Sequence, residues 1–335
     1  MNHGRPGRCF QEKLTTEYVF PDGYMELEAH DRTTIALPDV QKKLASAVFA
    51  VGKPTVIVLF NAGAVAVDTL LAQFSSVSNE SLAIIEAFYP GPRGAEALAQ
   101  SIFGQANRFG RLPYTIYPES FTAEASMLEH DLRAAPGRTY RYYRNFTYAY
   151  GYGLSFTTFE VNPTEEMDVA GQRKETVIHT SDCLQNLHTG DTTTVCDVNI
   201  AVKNSGSMTG DVVIGVYLDF TDANDVAQPQ EKEKNHKKKK KKFRDTDGVE
   251  LLPEQWRQVD FVRLHDISAG DSVTTTFSVS ATTFASFAEE SGDLISSPGN
   301  FTLLIEDGSG SVSGHTLVNA VVSGDAVVLE KFPTD

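Results

Sequence analysis

The sequence predicts an α/β domain with a largely parallel sheet, followed by an all-β sandwich. Three observations carry this reading. Helix-like and strand-like runs alternate between about residues 40 and 103, the pattern of a three-layer α/β sandwich. After about residue 160 the chain turns to short alternating runs punctuated by Gly, Asn, Asp and Ser, which suits antiparallel sheets packed face to face. A length of 335 residues, 41% apolar and 22% charged, gives two such domains a core each and excludes collagen, coiled coil and wholesale disorder.

In chain order, the leader MNHGRPGRCFQEKLTTEYVF lacks an apolar core of the length that an export signal needs. Val40 to Val51 has helical spacing, and Thr55 to Phe60 (TVIVLF) is an uninterrupted β-branched run, which suits a strand buried on both faces. Asn61-Ala-Gly ends it. Leu70 to Phe74 is a short apolar run, and Ser81 to Ala87 reads as helix or buried strand until Tyr89-Pro-Gly breaks it. Gly94 to Phe103 is helical, with Gly104 as its C-cap. Strand-like runs follow at Thr176–His179, Thr193–Val202, Val212–Phe220, Phe261–Leu264, Ser272–Val279 and Asn300–Glu306.

Charge narrows the partners. Lys plus Arg is 29 against 44 Asp plus Glu, a net of −15, which repels polyanions and argues against nucleic acid. Residues 231 to 244 run the other way, with nine Lys or Arg against two Glu, a net of +7, so the rest sums to −22. Six consecutive lysines from Lys237 to Lys242 suit a solvated insertion spanning about 231–258. No window approaches the ~20 apolar residues of a membrane span. Cys9, Cys183 and Cys196 lack the paired spacing of a zinc site, so no metal is implied. Cys183 and Cys196 flank a polar stretch that could turn back on itself, leaving a hairpin-linking disulfide open. Sequons at Asn79, Asn145 and Asn300 would suit an extracellular chain. No nucleotide fingerprint and no G-x-S-x-G elbow is present, so neither a cofactor nor a serine hydrolase is implied.

Five blocks fall in one order: ELEAHDR from Glu26 with Leu37-Pro38 and Gln41, KPTVIVLFNAG from Lys53, YPGPRGAEALAQSIFG from Tyr89 with GRLPYTIYP from Gly110, PGRTYRYY from Pro136, and FTYAYGYGLSFTTF from Phe146. In these blocks the chain resembles the C-terminal half of glycoside hydrolase family 3 enzymes, of the β-xylosidase and β-glucosidase type. ELEAHDR and the tyrosine-rich PGRTYRYY look closer to the β-xylosidase branch. VNIAVKNSGSMTGDVVIGVYL from Val198, FVRLHDISAGDS from Phe261 and SPGNFTLLI from Ser297 resemble that family's fibronectin type III-like module. The implied organisation is an unmatched leader over residues 1–25, a truncated α/β sandwich over 26–160, and a fibronectin type III-like sandwich over 161–335.

What the resemblance implies is the C-terminal part of a retaining exo-β-glycosidase, extracellular in its full-length form, that hydrolyses terminal β-linked sugars without a cofactor. Two carboxyl groups about 5–5.5 Å apart serve such chemistry. The nucleophilic Asp belongs to an N-terminal (β/α)8 barrel that this chain lacks, so the chain alone is expected to be inactive. Aligned on Asp31-Arg32, Glu28 takes the acid/base position and Glu26 is the fallback; Asp31 and Arg32 are supporting residues whose adjacent charges suit a local ion pair. Arg138 and Tyr140, with Tyr142 and Tyr143, either line a sugar subsite or form a half-buried strand face. Gly91, Gly151 and Gly153 read as tight backbone positions. The leader and the lysine run have no counterpart in the family, as gene-model errors would produce. The competing reading is a non-catalytic remnant that binds carbohydrate or packs on a partner.

Overall fold

The computed structural model describes residues 33–78, 80–164, 183–219, 256–288 and 291–333. They form two compact units, one from residues 33–96 and 112–150, the other from residues 97–111 and 151–333.

The first unit is built on a βαβ motif. Helix α1 (Asp39–Phe49) and helix α2 (Asp68–Val77) flank strand β1 (Thr55–Leu59), and α2 leads into strand β2 (Leu82–Glu86). The strands pair in parallel from Thr55↔Leu82 to Leu59↔Glu86, as a helical crossover requires. Phe49 and Phe74 meet edge to face at 5.0 Å, tying α1 to α2. Leu37, Leu59, Val65, Val67, Leu70 and Ile116 form the core beneath. The Leu70–Phe74 run is therefore the centre of a ten-residue helix, and Ser81–Ala87 resolves as strand.

One expectation is corrected. The run Thr55 to Phe60 is not buried on both faces, for Val56 is 48% and Phe60 59% exposed. Among the described residues β1 pairs on one edge only, with β2, and on its second face Val56 and Val58 stay partly exposed. Helix α3 (Gly94–Ile102) then carries the chain from the first unit into the second, and Gly104 stops it at a φ of +69°.

The second unit is two sheets around one core. Strands β3 (Phe159–Pro163), β5 (Val195–Asn204) and β8 (Ser272–Ser280) form a three-stranded antiparallel sheet. A five-stranded sheet runs in the order β4 (Leu187–His188), β12 (His315–Ser323), β11 (Gly299–Glu306), β6 (Gly210–Asp219) and β7 (Arg257–Ile267). A small third sheet joins β9 (Ser286–Phe287), β10 (Leu294–Ser296) and β13 (Val327–Glu330). Alternation along β5 turns Cys196, Val198, Ile200 and Val202 inward, where they meet Ile214 and Leu218 of β6 and Leu303 and Ile305 of β11. This period-two pattern is what marks β5, β6, β7, β8 and β11 in the sequence.

The run Thr176–His179 and the lysine run lie outside the described residues. The C-terminal edge of the predicted insertion is corrected, because Arg257 and Gln258 are already in β7, opposite Leu218 and Tyr217. Their main-chain groups pair into the ladder, which no solvated insertion would do. Cys183 and Cys196 are joined in a disulfide with Cα atoms 5.7 Å apart, which closes a loop and not a hairpin, since β4 pairs with β12 while β5 pairs with β3 and β8. Gly151, with φ +80°, sits where a Cβ would lie 2.6 Å from the Tyr217 hydroxyl, and a Cβ on Gly153 would meet the Gly110 carbonyl at 2.8 Å. Both glycines are close-approach positions.

An acidic pair marks the end of β11, with Glu306 half-buried and Asp307, the next residue, only 2% exposed. Burial pushes the Glu306 carboxyl up to about 7; the neighbouring Asp307 adds to the rise and the Arg111 guanidinium opposes it. Asp307 is raised as well, by burial first, against its hydrogen bonds to Ser309 and the charge of Arg111. A carboxyl whose folded pKa exceeds its unfolded value holds its proton more tightly in the folded chain. Its stabilisation is complete below about pH 4.5 and is lost as pH rises through about 7, on the order of 3 kcal/mol for Glu306. Glu306→Gln is uncharged throughout. Its melting temperature is expected to match the parent at about pH 4 and to exceed it at about pH 8; an unchanged difference between the two pH values would remove Glu306 as the cause.

Candidate functional site

The acid/base candidates Glu28 and Glu26, and Asp31 and Arg32 beside them, lie outside the described residues. What is described is where the chain leaves that segment. The Ala66 N–H donates to the Ile35 carbonyl at 2.9 Å, and Leu37 is 8% exposed in the core. Residues 35–37 are thereby fixed to the loop that follows β1. In open α/β sheets, ligands bind beyond the carboxyl ends of parallel strands, and this is the end at which residues 33–37 are held.

Three polar side chains gather at that end. Asn61 follows β1, is 5% exposed, and donates from Nδ2 to the Gly63 carbonyl at 2.8 Å. Glu86 ends β2 and accepts from the Tyr114 hydroxyl at 3.1 Å. Burial raises the Glu86 carboxyl above its ordinary range, against the Asn61 amide and the Tyr114 hydroxyl, which favour its charged form. Phe88, held at a φ of +52°, packs edge to face on Tyr114 at 5.9 Å. A carboxyl that accepts, beside a phenol and an amide that can donate, makes a mixed donor and acceptor set of the kind that hydroxyl-rich ligands require. Lys42 of α1 reaches Glu119 at 3.3 Å, and Glu119 accepts from Thr69 at 2.7 Å while its own N–H donates to Asp68 at 3.1 Å. Glu119 thus holds the N-terminal turns of both helices at this end.

Arg138 and Tyr140 come together in another part of the first unit. Thr139–Tyr142 is a helical turn, which corrects the alternative of a strand face. The Thr139 N–H, at a φ of +60°, donates to the Tyr117 hydroxyl at 2.7 Å, which sets the turn's orientation. Arg138 donates to the Ser126 carbonyl. Tyr140 stacks on Tyr150 at 4.5 Å, and the Arg141 guanidinium lies 5.3 Å over the Tyr142 ring. Tyr143 is 2% exposed, packed on Tyr117 and Phe121, and burial pushes its phenol up to about 12. Tyr143 is core, whereas Arg138, Tyr140 and Tyr142 stay half-exposed.

Sequence reasoning missed Asn61, Glu86, Tyr114 and Glu119. The signal for the first two was present, since each directly follows or ends an apolar strand run, where the switch-point rule expects ligand contacts. Tyr114 and Glu119 had no such signal, because only folding brings them back to β2 and α2. Among the described residues no group of three or more His, Cys, Asp or Glu could hold a metal ion, and no helix is long and apolar enough to cross a membrane.

The glycosyl hydrolase family 3 C-terminal domain matches residues 13–156 of this chain. Residues 13–156 belong to that family 3 domain. The probable exo-1,4-beta-xylosidase bxlB of Aspergillus fumigatus is 30% identical over 323 residues, which are 93% of this chain and 36% of that protein. The probable beta-D-xylosidase 6 of Arabidopsis thaliana is 44% identical over 141 residues, covering 40% of this chain and 17% of its own length. Among solved structures, the GH3 exo-beta-xylosidase XlnD in complex with a xylobiose aziridine activity-based probe superimposes with a TM-score of 0.68 at 27% identity, over 92% of this chain and 36% of that one. The chain thus spans about a third of the length of the family 3 relatives it matches. The fold is that of their C-terminal part, with a parallel pair, antiparallel sheets and few helices.

Proposed function

We propose that this chain is the C-terminal part of a retaining exo-β-glycosidase of β-xylosidase type, acting outside the cell on terminal β-linked sugars of plant-type polysaccharides or oligosaccharides. The observation that carries the reading is 30% identity to a probable exo-1,4-beta-xylosidase over 93% of the chain. In this reading Glu28 is the general acid and then base, with Glu26 as fallback and Asp31 and Arg32 fixing the loop. The nucleophilic carboxylate comes from a (β/α)8 barrel elsewhere in the full-length polypeptide. Arg138 and Tyr140 contribute sugar contacts, and the two-sheet unit is a fibronectin type III-like module. No cofactor is needed, since two carboxyls suffice for retention.

Support for further chain packing on the first unit comes from α1. Val40, Leu44 and Val48 form one stripe, 55%, 65% and 44% exposed, while Phe49 on the other side is fully buried. A helix apolar on two faces is packed on two sides. The second reading, a non-catalytic partner-packing or carbohydrate-binding remnant, draws on the same stripe. The test is immunodetection of residues 198–218 in producing cells and medium, with β-xylosidase activity followed through the same fractions. A secreted band far above 36.6 kDa that carries the activity is expected. A band near that mass without activity would overturn the glycosidase reading in favour of the remnant.

A further inference from the structure

We propose that Asn300 carries an N-linked oligosaccharide. The tripeptide Asn300-Phe301-Thr302 is an acceptor sequence, and it lies at the start of β11. In a strand, neighbouring side chains point to opposite faces. Phe301 is 2% exposed, tilted against Phe284 with ring centres 5.0 Å apart, and belongs to the single core of the second unit. Its burial fixes Asn300 and Thr302 on the outward face, where Asn300 is exposed. Among the described residues, β11 pairs with β12 from Gly299 onward and with β6 from Thr302 onward. Thr302 is held across the ladder by its hydroxyl, which donates to Asn319 at 3.2 Å. A branched sugar on Asn300 would stand in solvent without displacing any core residue.

A second, independent observation sets the compartment. The Cys183–Cys196 disulfide belongs to the same unit, and such bonds form and persist in an oxidising lumen or outside the cell. That lumen is where oligosaccharides are transferred to asparagine. In the transfer, the Asn300 amide nitrogen attacks the anomeric carbon of a lipid-diphosphate-linked oligosaccharide. The nitrogen–carbon bond forms, the bond from carbon to the diphosphate oxygen breaks, the lipid diphosphate leaves, and the amide gives up one proton. Nothing is oxidised or reduced. Asn145-Phe146-Thr147 is the same tripeptide in the first unit, with Asn145 exposed at a bend, whereas Asn79 lies outside the described residues.

The inference does not rest on the glycosidase reading, because an inactive secreted chain would carry the same sugar. The test starts from the full native polypeptide, purified from its producing cells and treated with peptide N-glycosidase in heavy-oxygen water. The peptide spanning Asn300 is expected as heavy-oxygen-labelled Asp. In re-expressed protein, Asn300→Gln and Thr302→Ala should each lose one glycan-sized step in gel mobility, and Thr302→Ser should retain it. Recovery of the native peptide wholly as unlabelled Asn300 would overturn the proposal even if the variants fail to fold.

Discussion

Glu28→Gln in the full-length enzyme is expected to lower kcat/KM on xylo-oligosaccharides by roughly 10²–10⁴-fold, with KM little changed. A departing sugar alkoxide is a strong base and needs a proton in the transition state. An activated aryl group, departing as a stabilised phenolate, does not. Cleavage of aryl xylosides with acidic phenols should therefore survive the substitution, while the second step, in which the same carboxylate activates water, slows and lets the glycosyl-enzyme accumulate as a burst. Azide, which needs no general base, should restore turnover of the aryl substrate and yield the azido sugar. The amide does not titrate, so the alkaline fall in kcat/KM that reports loss of the acid's proton should also vanish. A merely structural Glu28 would depress both substrates alike and leave the pH profile in place, and azide would rescue nothing. Glu26→Gln is the matched control: if it shows the leaving-group dependence and Glu28→Gln does not, the acid/base role moves to Glu26.

How much of this was legible in sequence follows from physical range. β5 and β11 were readable because alternation is local and each has one face in the core. α1 and α3 were readable from helical spacing and from glycine stops. β12 (HTLVNAVVS) was missed, since apolar Leu317 and Val321 on its outward face blur the alternation, and its strand character comes from eight register pairs with β11. The exposed β1 was misread for the opposite reason. An apolar run reports what a strand is made to touch, and Val56 and Phe60 are apolar although about half of each stays exposed. At the site, Asn61 and Glu86 follow strand ends and could have been found. Glu119 could not, because its partners Lys42 and Thr69 lie 77 and 50 residues away. The Cys183–Cys196 bond stood between, allowed by the spacing but decided by the turn that brings the pair together.

The other large effect expected is structural. Asn204→Ala should cost about 4 kcal/mol of unfolding free energy, more than any surface substitution in the second unit. Asn204 has no exposed surface and uses every hydrogen-bonding group of its amide. Its Oδ1 accepts from the Thr157 hydroxyl at 2.6 Å and the Gly206 N–H at 3.1 Å, and its Nδ2 donates to the Met208 and Ile267 carbonyls at 2.9 and 2.8 Å. These partners belong to the approach to β3, the β5–β6 turn and the end of β7, so one side chain holds both sheets of the sandwich at a single corner. Truncation leaves two carbonyls, one N–H and one hydroxyl without their partner in a buried place, at about 1 kcal/mol or more each. A cavity adds to that. Asn204→Asp separates the polar loss from the cavity. It keeps the volume and both acceptor contacts, yet as a carboxylate it would face the Met208 and Ile267 carbonyls, so it must stay protonated to donate to either. Its destabilisation should therefore grow as pH rises above the ordinary carboxylate range, whereas that of Asn204→Ala should not. Trp256, the one tryptophan and 5% exposed in the same unit, gives the fluorescence signal for urea unfolding at each pH. A pH-independent loss for Asn204→Asp would mean that the two carbonyls do not depend on the amide, and the corner would then be held by packing alone.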